Sequence, residues 1–249
     1  MSDKFSIEGK KVIITGACGG LGRGVAKGLK DAGAIVCSMD FSDKLIDIAK
    51  EDSIDYTVKV NLMDRDDLNR AFNEAVNKLG GEVDVLLNFA GIQKRHPCEE
   101  FPVEDWDAVI EVNLTAVFEM SKLAGNCMLK QGHGKIINVA SMLSFFGGKN
   151  VPAYTASKGG VMQLTRALAV AWADRNVQVN AIAPGYMATE MNTQLLQDPV
   201  RKAEIENRIP AKRWGTSEDI LGPIIFLASE ASDYLSGAII PVDGGYMSC

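Results

Sequence analysis

Short runs rich in β-branched residues alternate with longer helical patterns along almost the whole chain. Strands that alternate with helices in this way form parallel sheets, because a parallel pair of strands needs a long crossover connection. The sequence therefore predicts an α/β fold: a Rossmann-like, doubly wound parallel sheet of seven strands with helices on both faces. The predicted strands are Lys11–Thr15, Ile35–Asp40, Tyr56–Val60, Val83–Asn88, Lys135–Val139, Gln178–Ala183 and Ala238–Val242. The predicted helices lie near Gly20–Ala32, Asp64–Leu79, Asp105–Lys130, Tyr154–Asp174 and Ser217–Ala228.

The chain shows no internal repeat, no low-complexity linker and no block of like charges over its 249 residues. A single α/β domain of this length is common, so we expect one domain spanning residues 1–249. Within it, the loop-rich stretch 186–215 is expected to form a lid or a wall of a pocket.

Charge and cysteine usage exclude several classes of protein. The formal net charge of −6 argues against binding to nucleic acid or to an anionic membrane surface, both of which need a basic face. The five cysteines are scattered without a pairing pattern, and no apolar run reaches the ~20 residues of a membrane span. The N-terminus lacks the apolar core of a signal peptide. We therefore expect a cytoplasmic protein, and because His96 and His133 lack metal-ligand spacing, no metal site.

A glycine-rich segment, "VIITGACGGLGRG", follows the first predicted strand and opens the first predicted helix. Gly16, Gly20 and Gly22 have the spacing GxxxGxG. Glycines allow a sharp turn and let backbone N–H groups approach a pyrophosphate, and the helix N-terminus favours negative charge. The segment indicates dinucleotide binding; taken alone, it is also compatible with an ordinary turn.

Asp40 ends the second predicted strand, twenty positions after Gly20. An acidic residue there can bond the ribose hydroxyls of NAD and repel the additional phosphate of NADP. No lysine or arginine lies between Gly16 and Gly20, although Lys44 is close in sequence. The position favours NAD as the cofactor; the alternative is that Asp40 is a solvated strand end.

Tyr154 and Lys158 lie four residues apart in "PAYTASKGG" and so share one face of a predicted helix. A lone pair of this kind is commonly a core tyrosine beside a lysine that extends to water. Here Ser141 ends one predicted strand and Pro184-Gly185 ends the next. Because ligands of open α/β sheets bind beyond the carboxyl ends of the strands, these residues are expected to meet at one site.

Several motifs together resemble the short-chain dehydrogenase/reductase family over almost the whole chain. They are "TGACGGLG", "NFAG" at 88–91, "VNL" at 112–114, "NVASM" at 138–142, "YTASK" at 154–158, "NAIAPGYMAT" at 180–189 and "VDGG" at 242–245. The chain departs from the family pattern at Phe89, where asparagine is more common, and at Asn61, where aspartate is often found. These departures affect local contacts with the cofactor.

The resemblance implies an NAD(P)-dependent oxidoreductase acting on CH–OH groups, with Asn113, Ser141, Tyr154 and Lys158 as the catalytic set. Tyr154 would be the general base, Ser141 would bond the substrate oxygen, and Asn113 would hold a water that links Lys158 to solvent. Lowering the pKa of a tyrosine from ~10 to ~7 takes roughly 4 kcal/mol. An ammonium ~4 Å away at an effective dielectric constant of ~20 supplies about that much, so Lys158 is expected to lower the pKa of Tyr154.

The same resemblance implies a set of cofactor-binding residues, in which Thr189 would contact the nicotinamide carboxamide. The set is Gly16, Gly19, Gly20, Leu21, Gly22, Asp40, Asn61, Leu62, Asn88, Ala90, Gly91, Tyr154, Lys158, Pro184, Gly185, Met187 and Thr189.

Within the family, stretches such as "GKIINVASMLSFFGG" and "RIPAKRWG" are similar to the sugar-acid dehydrogenases. The expected substrate is a six-carbon keto-acid sugar, whose carboxylate would need a cation: Arg95 first and Arg213 second, unless both are solvated surface charges. Ser141, Met142, Tyr154 and Tyr186 are expected to complete the substrate site, beside Met187. Three alternatives stay open: a gluconate 5-dehydrogenase, a 3-oxoacyl carrier-protein reductase, and a catalytically idle dinucleotide-binding scaffold.

The family is usually tetrameric, through its long helices and the C-terminal strand region. The segment "PIIFLASEASDYLSGAIIPVDGG" is apolar enough to form such an interface, so a homotetramer is expected.

Overall fold

One parallel sheet organises the protein in the computed structural model, which describes residues 4–248 apart from the side chains of residues 191 and 194. The sheet has seven strands in the order β3-β2-β1-β4-β5-β6-β7, and all neighbours are parallel. The predicted fold class is confirmed. The strands are β1 Lys11–Thr15, β2 Ile35–Asp40, β3 Tyr56–Lys59, β4 Val85–Asn88, β5 Gly134–Val139, β6 Val177–Pro184 and β7 Ile239–Val242.

Helices cover both faces of the sheet, as the alternating pattern predicted. Among residues 4–248 they are α1 Gly20–Asp31, α2 Leu45–Glu51, α3 Arg65–Lys78, α4 Val103–Ile110, α5 Ala116–Gln131, α6 Pro152–Trp172, α7 Thr193–Gln197, α8 Pro199–Arg208 and α9 Ser217–Ala228. None of the helices in this described part is both long and apolar enough to cross a membrane.

Two apolar cores, one on each face, hold the sheet between its helices. Along β1, Ile13 packs into the core that contains Leu68 of α3, whereas Val12 and Ile14 pack into the core that contains Val25 of α1. This alternation follows from the two-residue period of a strand. Because both faces are covered, the central strands are apolar almost throughout.

The chain order reverses beside β1, which pairs with β2 on one side and with β4 on the other. The connections from β1 and from β4 therefore diverge and leave a crevice at the carboxyl edge of the sheet. Ligands of doubly wound folds bind at such a switch point.

The predicted helix over 105–130 is interrupted by a π-helical segment, Glu111–Thr115, between α4 and α5. Single π-turns of this kind are frequent at functional sites, and hydrophobic periodicity does not reveal them. The segment carries Asn113, one of the predicted catalytic residues.

Some elements were absent from the sequence prediction. The helix α2 has only seven residues, too short for a clear period, and α7 and α8 lie inside the stretch predicted as a loop. The start of α8 has a recognisable signal, because Asp198 caps the backbone N–H groups of Val200 and Arg201. Strand β4 begins at Val85 instead of Val83, because the side chain of Gln131 takes both backbone groups of Val83.

Candidate active site

A cleft of about 670 Å³ lies at the carboxyl ends of the central strands. Its volume is within the ~300–1,000 Å³ range typical of small-molecule sites. Every residue of the predicted cofactor set lines this cleft except Asn88. The other lining residues are Phe41, Val60, Met63, Phe89, Ile92, Val112, Val139, Ala140, Ser141, Glu190 and Asn192.

The glycine-rich turn is packed too closely for a side chain at Gly16 or at Gly22. Gly16 has a φ of +72°, and a Cβ on it would lie 2.6 Å from the Cα of Ala90. A Cβ on Gly22 would lie 2.0 Å from the carbonyl oxygen of Gly16. The first residues of α1 have no side-chain cap, since Gly19 holds the N-cap position, so their N–H groups remain available. These features fit a dinucleotide pyrophosphate.

The carboxylate of Asp40 is held at the rim of the cleft by two backbone groups. It accepts hydrogen bonds from the N–H of Cys18 and from the N–H of Ser42, both at 2.9 Å. Among residues 4–248, Lys158 is the one Lys or Arg side chain lining the cleft. Asp40 therefore places a negative charge at the rim with no compensating cation in the cleft beside it.

Tyr154 and Lys158 lie one turn apart on α6, as the spacing predicted, and both line the cleft. The Lys158 side chain is buried; its Nζ donates to the carbonyl oxygen of Val139 at 2.6 Å and lies 5.7 Å from the centroid of the Tyr154 ring. Burial lowers the pKa of Lys158 to about 8.

The expected lowering of the Tyr154 pKa is not found in the protein without ligands. Burial raises the pKa of this phenol, and its hydrogen bond with Ser141 only partly opposes the effect. The desolvation of an anionic phenolate dominates, and burial also disfavours the ammonium form of Lys158. Tyr154 therefore carries its proton at neutral pH.

The pKa of Lys158 predicts a pH dependence of stability. Between pH 8 and 10.5 the unfolded chain still binds the lysine proton that the folded protein has released, so this lysine makes stability rise with pH. The free energy of unfolding of the wild type, minus that of Lys158→Met, should increase by about 3 kcal/mol across this range. Urea unfolding of both proteins at pH 7 to 10.5 measures the difference; a difference independent of pH would contradict the prediction.

Ser141 is fixed by a second serine that the sequence reasoning missed. The Ser141 Oγ accepts from the N–H of Leu143 at 3.1 Å, and its hydroxyl also forms a hydrogen bond with the Tyr154 phenol. The Oγ of Ser144 accepts from the N–H of Ser141 and donates to the carbonyl oxygen of Lys158 at 2.7 Å. Ser144 thus ties the end of β5 to α6. The Ser-x-x-Ser spacing of a capping box was the available signal.

Asn113 is fully buried in the π-helical segment, and its amide is occupied by protein groups. It accepts from the N–H of Ile92 at 2.8 Å and donates to the carbonyl oxygen of Ile92 and to the Oγ of Ser157. Its side chain therefore links the chain after β4 to α6. The side chain itself has no N–H left to hold the predicted relay water.

Asn88, predicted to bind the cofactor, is not among the residues that line the cleft. Its Nδ2 donates to the Oγ of Ser121 and to the Oδ1 of Asn138, and the Nδ2 of Asn138 donates in turn to Thr165 on α6. This buried row connects β4, β5 and the helices behind them. The side chain of Asn88 fixes the strand ends that position the site, because all its donors are used within the protein.

Arg213, the second residue predicted to bind the substrate carboxylate, is paired with a carboxylate of its own chain. Its two terminal nitrogens bond both carboxylate oxygens of Asp219, at 2.8 and 2.6 Å. Asp219 also accepts from the N–H of Thr216 at the start of α9, and the bond with Arg213 holds the pKa of Asp219 well below its usual value. Arg213 therefore anchors the end of the 186–215 stretch.

The other predicted substrate residues occupy two places outside the dinucleotide cleft. Met142 is buried in a cluster with Trp214, and the ring of Tyr186 lies edge-on to Trp214 at 5.3 Å and to Tyr246 at 5.4 Å. This cluster forms a wall next to Ser141. Arg95 is exposed in the segment after β4.

The 186–215 stretch is closed at its base and reaches the glycine turn. Met187 and Gly215 form a parallel bridge, and the N–H of Ala188 donates to the carbonyl oxygen of Gly215 at 2.8 Å. A Cβ on Gly20 would lie 3.9 Å from the Cβ of Thr189, so Thr189 faces the glycine turn across the cleft. Nowhere in residues 4–248 do three or more His, Cys, Asp or Glu side chains gather as a metal site would require.

A glycine turn at a helix N-terminus, an acidic rim residue and a buried tyrosine–lysine pair beside a serine define a dinucleotide-dependent oxidoreductase. Sequence comparison agrees: the family described as Enoyl-(Acyl carrier protein) reductase matches residues 16–247. The chain belongs to the short-chain dehydrogenase/reductase family.

Named relatives align with this chain over almost its whole length. The 2-dehydro-3-deoxy-D-gluconate 5-dehydrogenase of Escherichia coli strain K12 is 46% identical over 98% of each chain. The protein of the same name from Bacillus subtilis strain 168 is 43% identical over 100% of this chain and 98% of its own. The crystal structure of a gluconate 5-dehydrogenase from Burkholderia cenocepacia J2315, in complex with NADP and tartrate, is 35% identical with a TM-score of 0.93, covering 99% of this chain and 98% of that one.

Proposed function

We propose that this protein is an NAD-dependent 2-dehydro-3-deoxy-D-gluconate 5-dehydrogenase. The observation that carries the proposal is the set of Ser141, Tyr154 and Lys158 on one wall of a dinucleotide-sized cleft. The similarity to enzymes of that name, at 46% and 43% identity over essentially full length, supports the substrate class.

The proposed reaction removes a hydride and a proton from the C5 alcohol, which becomes a ketone. When bound, the oxidised dinucleotide supplies the hydride acceptor and a positive charge beside the phenol. Ser141 donates its O–H, which bonds the Tyr154 phenol when no substrate is bound, to the substrate oxygen and orients it. Tyr154 takes the hydroxyl proton in the oxidative direction and returns it in the reductive direction. Lys158 in its ammonium form favours the phenolate and links it to the proton pool.

The proposed preference for NAD rests on Asp40. Its two backbone hydrogen bonds keep the carboxylate at the rim of the cleft, where it can accept from ribose hydroxyls and would repel a phosphate. The Burkholderia relative contains NADP. The proposal of NAD instead of NADP therefore depends on the negative charge of Asp40.

Asp40→Ser should shift the cofactor preference toward NADP. Removing one like-charge repulsion near the phosphate is worth roughly 1–3 kcal/mol, so the ratio of kcat/KM for NADP over NAD should rise about 5- to 150-fold. Steady-state kinetics with both cofactors measures the ratio. Asp43→Ser is the matched control, since Asp43 is exposed and pairs with Lys59 outside the cleft. An unchanged ratio in Asp40→Ser would remove the basis for NAD.

For the substrate carboxylate we propose Arg95. It lies three residues after the cleft-lining residue Ile92, in a segment with two further basic side chains. Those neighbours, Lys94 and His96, are both bonded to Asp105. Within residues 4–248 no acidic partner of Arg95 is found, so its planar guanidinium is available for two-point binding of a carboxylate.

A gluconate 5-dehydrogenase is the second candidate, favoured by the similarity to the Burkholderia structure. Oxidation of 2-dehydro-3-deoxy-D-gluconate and of D-gluconate, compared by kcat/KM with NAD and NADP, tests the choice; we expect the deoxy keto acid with NAD to be the better pair. Reduction of an acetoacetyl thioester serves as the comparison for a carrier-protein reductase. Equal or better rates with the thioester would overturn the sugar-acid proposal.

We also propose that the 186–215 stretch is the wall over the substrate. We further propose that the protein is a homotetramer. Exposed apolar side chains on α4 to α6 support the homotetramer, since contact with another copy would cover them: Val103, Trp106, Phe118 and Val170. Light scattering on the purified protein gives the mass directly; a monomer at micromolar concentration would contradict the tetramer.

A further inference from the structure

The segment 92–97, which carries Arg95, is anchored at both ends. At its start, the side chain of Asn113 bonds both backbone groups of Ile92, at 2.8 and 2.9 Å. Near its end, the N–H of His96 donates to the carbonyl oxygen of Asn150 at 3.1 Å. The segment is therefore held between the π-helical turn and the chain that leads into α6. Its backbone has a defined place beside the cleft.

Asp105, on α4, bonds the side chains on both sides of Arg95. One carboxylate oxygen lies 2.7 Å from the Nε2 of His96, and the other lies 3.3 Å from the Nζ of Lys94. The His96 ring also packs edge-on against Phe101, with centroids 5.2 Å apart. The hydrogen bonds with His96 and then Lys94 hold the pKa of Asp105 below its usual value, so the carboxylate is ionised at neutral pH.

The consequence for Arg95 follows from the local backbone. The segment has no helix or turn, and His96 precedes Pro97, which favours an extended conformation at His96. Side chains alternate between the two sides of an extended chain. With Lys94 and His96 held against α4, an extended chain would present Arg95 on the side opposite α4.

We propose that Asp105 is a positioning residue that orients Arg95 for the substrate carboxylate. This inference rests on the proposed function, in which Arg95 binds that carboxylate. Asp105 acts through its two neighbours and touches neither the substrate nor the cofactor. Its negative charge also balances Lys94, so that Arg95 remains the unbalanced cation of the segment.

The two effects of Asp105 have opposite signs, which makes the inference testable. If the carboxylate mattered only through its charge, its removal would strengthen binding of an anionic substrate. If it orients Arg95, its removal weakens binding. We expect Asp105→Ala to raise KM for 2-dehydro-3-deoxy-D-gluconate about 10-fold, with kcat within about twofold and an unchanged Kd for NADH. A KM that is unchanged or lower would overturn the inference.

Asp107→Ala is the matched control, because it removes the same charge from an exposed position on the same helix. It should leave KM within about twofold; a rise like that of Asp105→Ala would show a general charge effect on α4 and overturn the inference. Thermal unfolding checks that each variant is folded. If Asp105→Ala fails to fold, Asp105→Asn takes its place and is expected to raise KM by a smaller factor. A KM of Asp105→Asn at or below that of the wild type would overturn the inference.

A double-mutant cycle with Arg95→Met separates this inference from the proposed function. Arg95→Met should raise KM, and in its background Asp105→Ala should add less than twofold. Arg95→Met could raise KM while Asp105→Ala raises it by the same factor in both backgrounds. In that case Asp105 acts by another route and the inference is wrong, but the contact between Arg95 and the carboxylate stands. If Arg95→Met leaves KM unchanged, the carboxylate contact in the proposed function is itself wrong.

Discussion

Tyr154→Phe is expected to lower kcat/KM by about 10³-fold or more, with the Kd for NADH changed by no more than about threefold. The substitution removes one hydroxyl group and keeps the ring that lines the cleft. General acid–base catalysis by a positioned group is worth typically 10²–10⁴-fold, and no other phenol or imidazole lines the cleft within residues 4–248 to replace it. Stopped-flow or steady-state oxidation of 2-dehydro-3-deoxy-D-gluconate and fluorescence titration with NADH give the two quantities.

The matched control is Tyr234→Phe, which removes a hydroxyl from a fully exposed ring. It should keep wild-type kcat and KM. Turnover retained in Tyr154→Phe would mean that the proton reaches another group, and the assignment of Tyr154 as acid and base would be wrong.

Gly22→Ala is expected to abolish detectable NADH binding and to lower the free energy of unfolding by about 3 kcal/mol or more. A Cβ at this position would lie 2.0 Å from the carbonyl oxygen of Gly16. The backbone fixes the positions of both atoms, so no change of rotamer can relieve the overlap. The start of α1 would have to move away from β1. The same movement would displace the N–H groups that face the pyrophosphate.

Urea unfolding and NADH titration measure both effects. Gly222→Ala is the control: it lies in α9, and a Cβ there meets no atom within 4 Å. In a helix, replacing glycine by alanine should leave binding unchanged and stabilise by roughly 0.5–1 kcal/mol. Normal NADH affinity in Gly22→Ala would contradict the close packing of the turn.

Repeated local patterns made the architecture predictable. The strand runs and the intervening helices follow from periodicity and glycine placement, and the cofactor cleft follows from the position of the glycine turn after β1. Boundaries shifted where a single distant side chain intervened, as Gln131 does at Val83. Such pairings depend on the folded topology, which no local window contains.

The roles of individual polar residues were harder to predict, because they depend on partners from other elements. Asn88 matches a family motif, yet its amide bonds Ser121 and Asn138 across the sheet. Arg213 has the right chemistry for a carboxylate, but that carboxylate is Asp219 of its own chain.

Electrostatics at the catalytic pair also required the structure. A Coulomb estimate from spacing predicted a lowered pKa for Tyr154, but burial reverses the direction in the protein alone and also lowers the pKa of Lys158 to about 8. Desolvation depends on what surrounds a group, and sequence spacing does not report it.

The most direct test of the account follows an isotope from substrate to cofactor. Wild-type enzyme is incubated with NAD and 2-dehydro-3-deoxy-D-gluconate that carries deuterium at C5, and the reduced cofactor is examined by proton NMR. We expect one deuterium at C4 of the nicotinamide for each NADH formed, with a ketone at C5 of the product. Unlabelled NADH, or no NADH at all under conditions where the protein binds NAD, would contradict it.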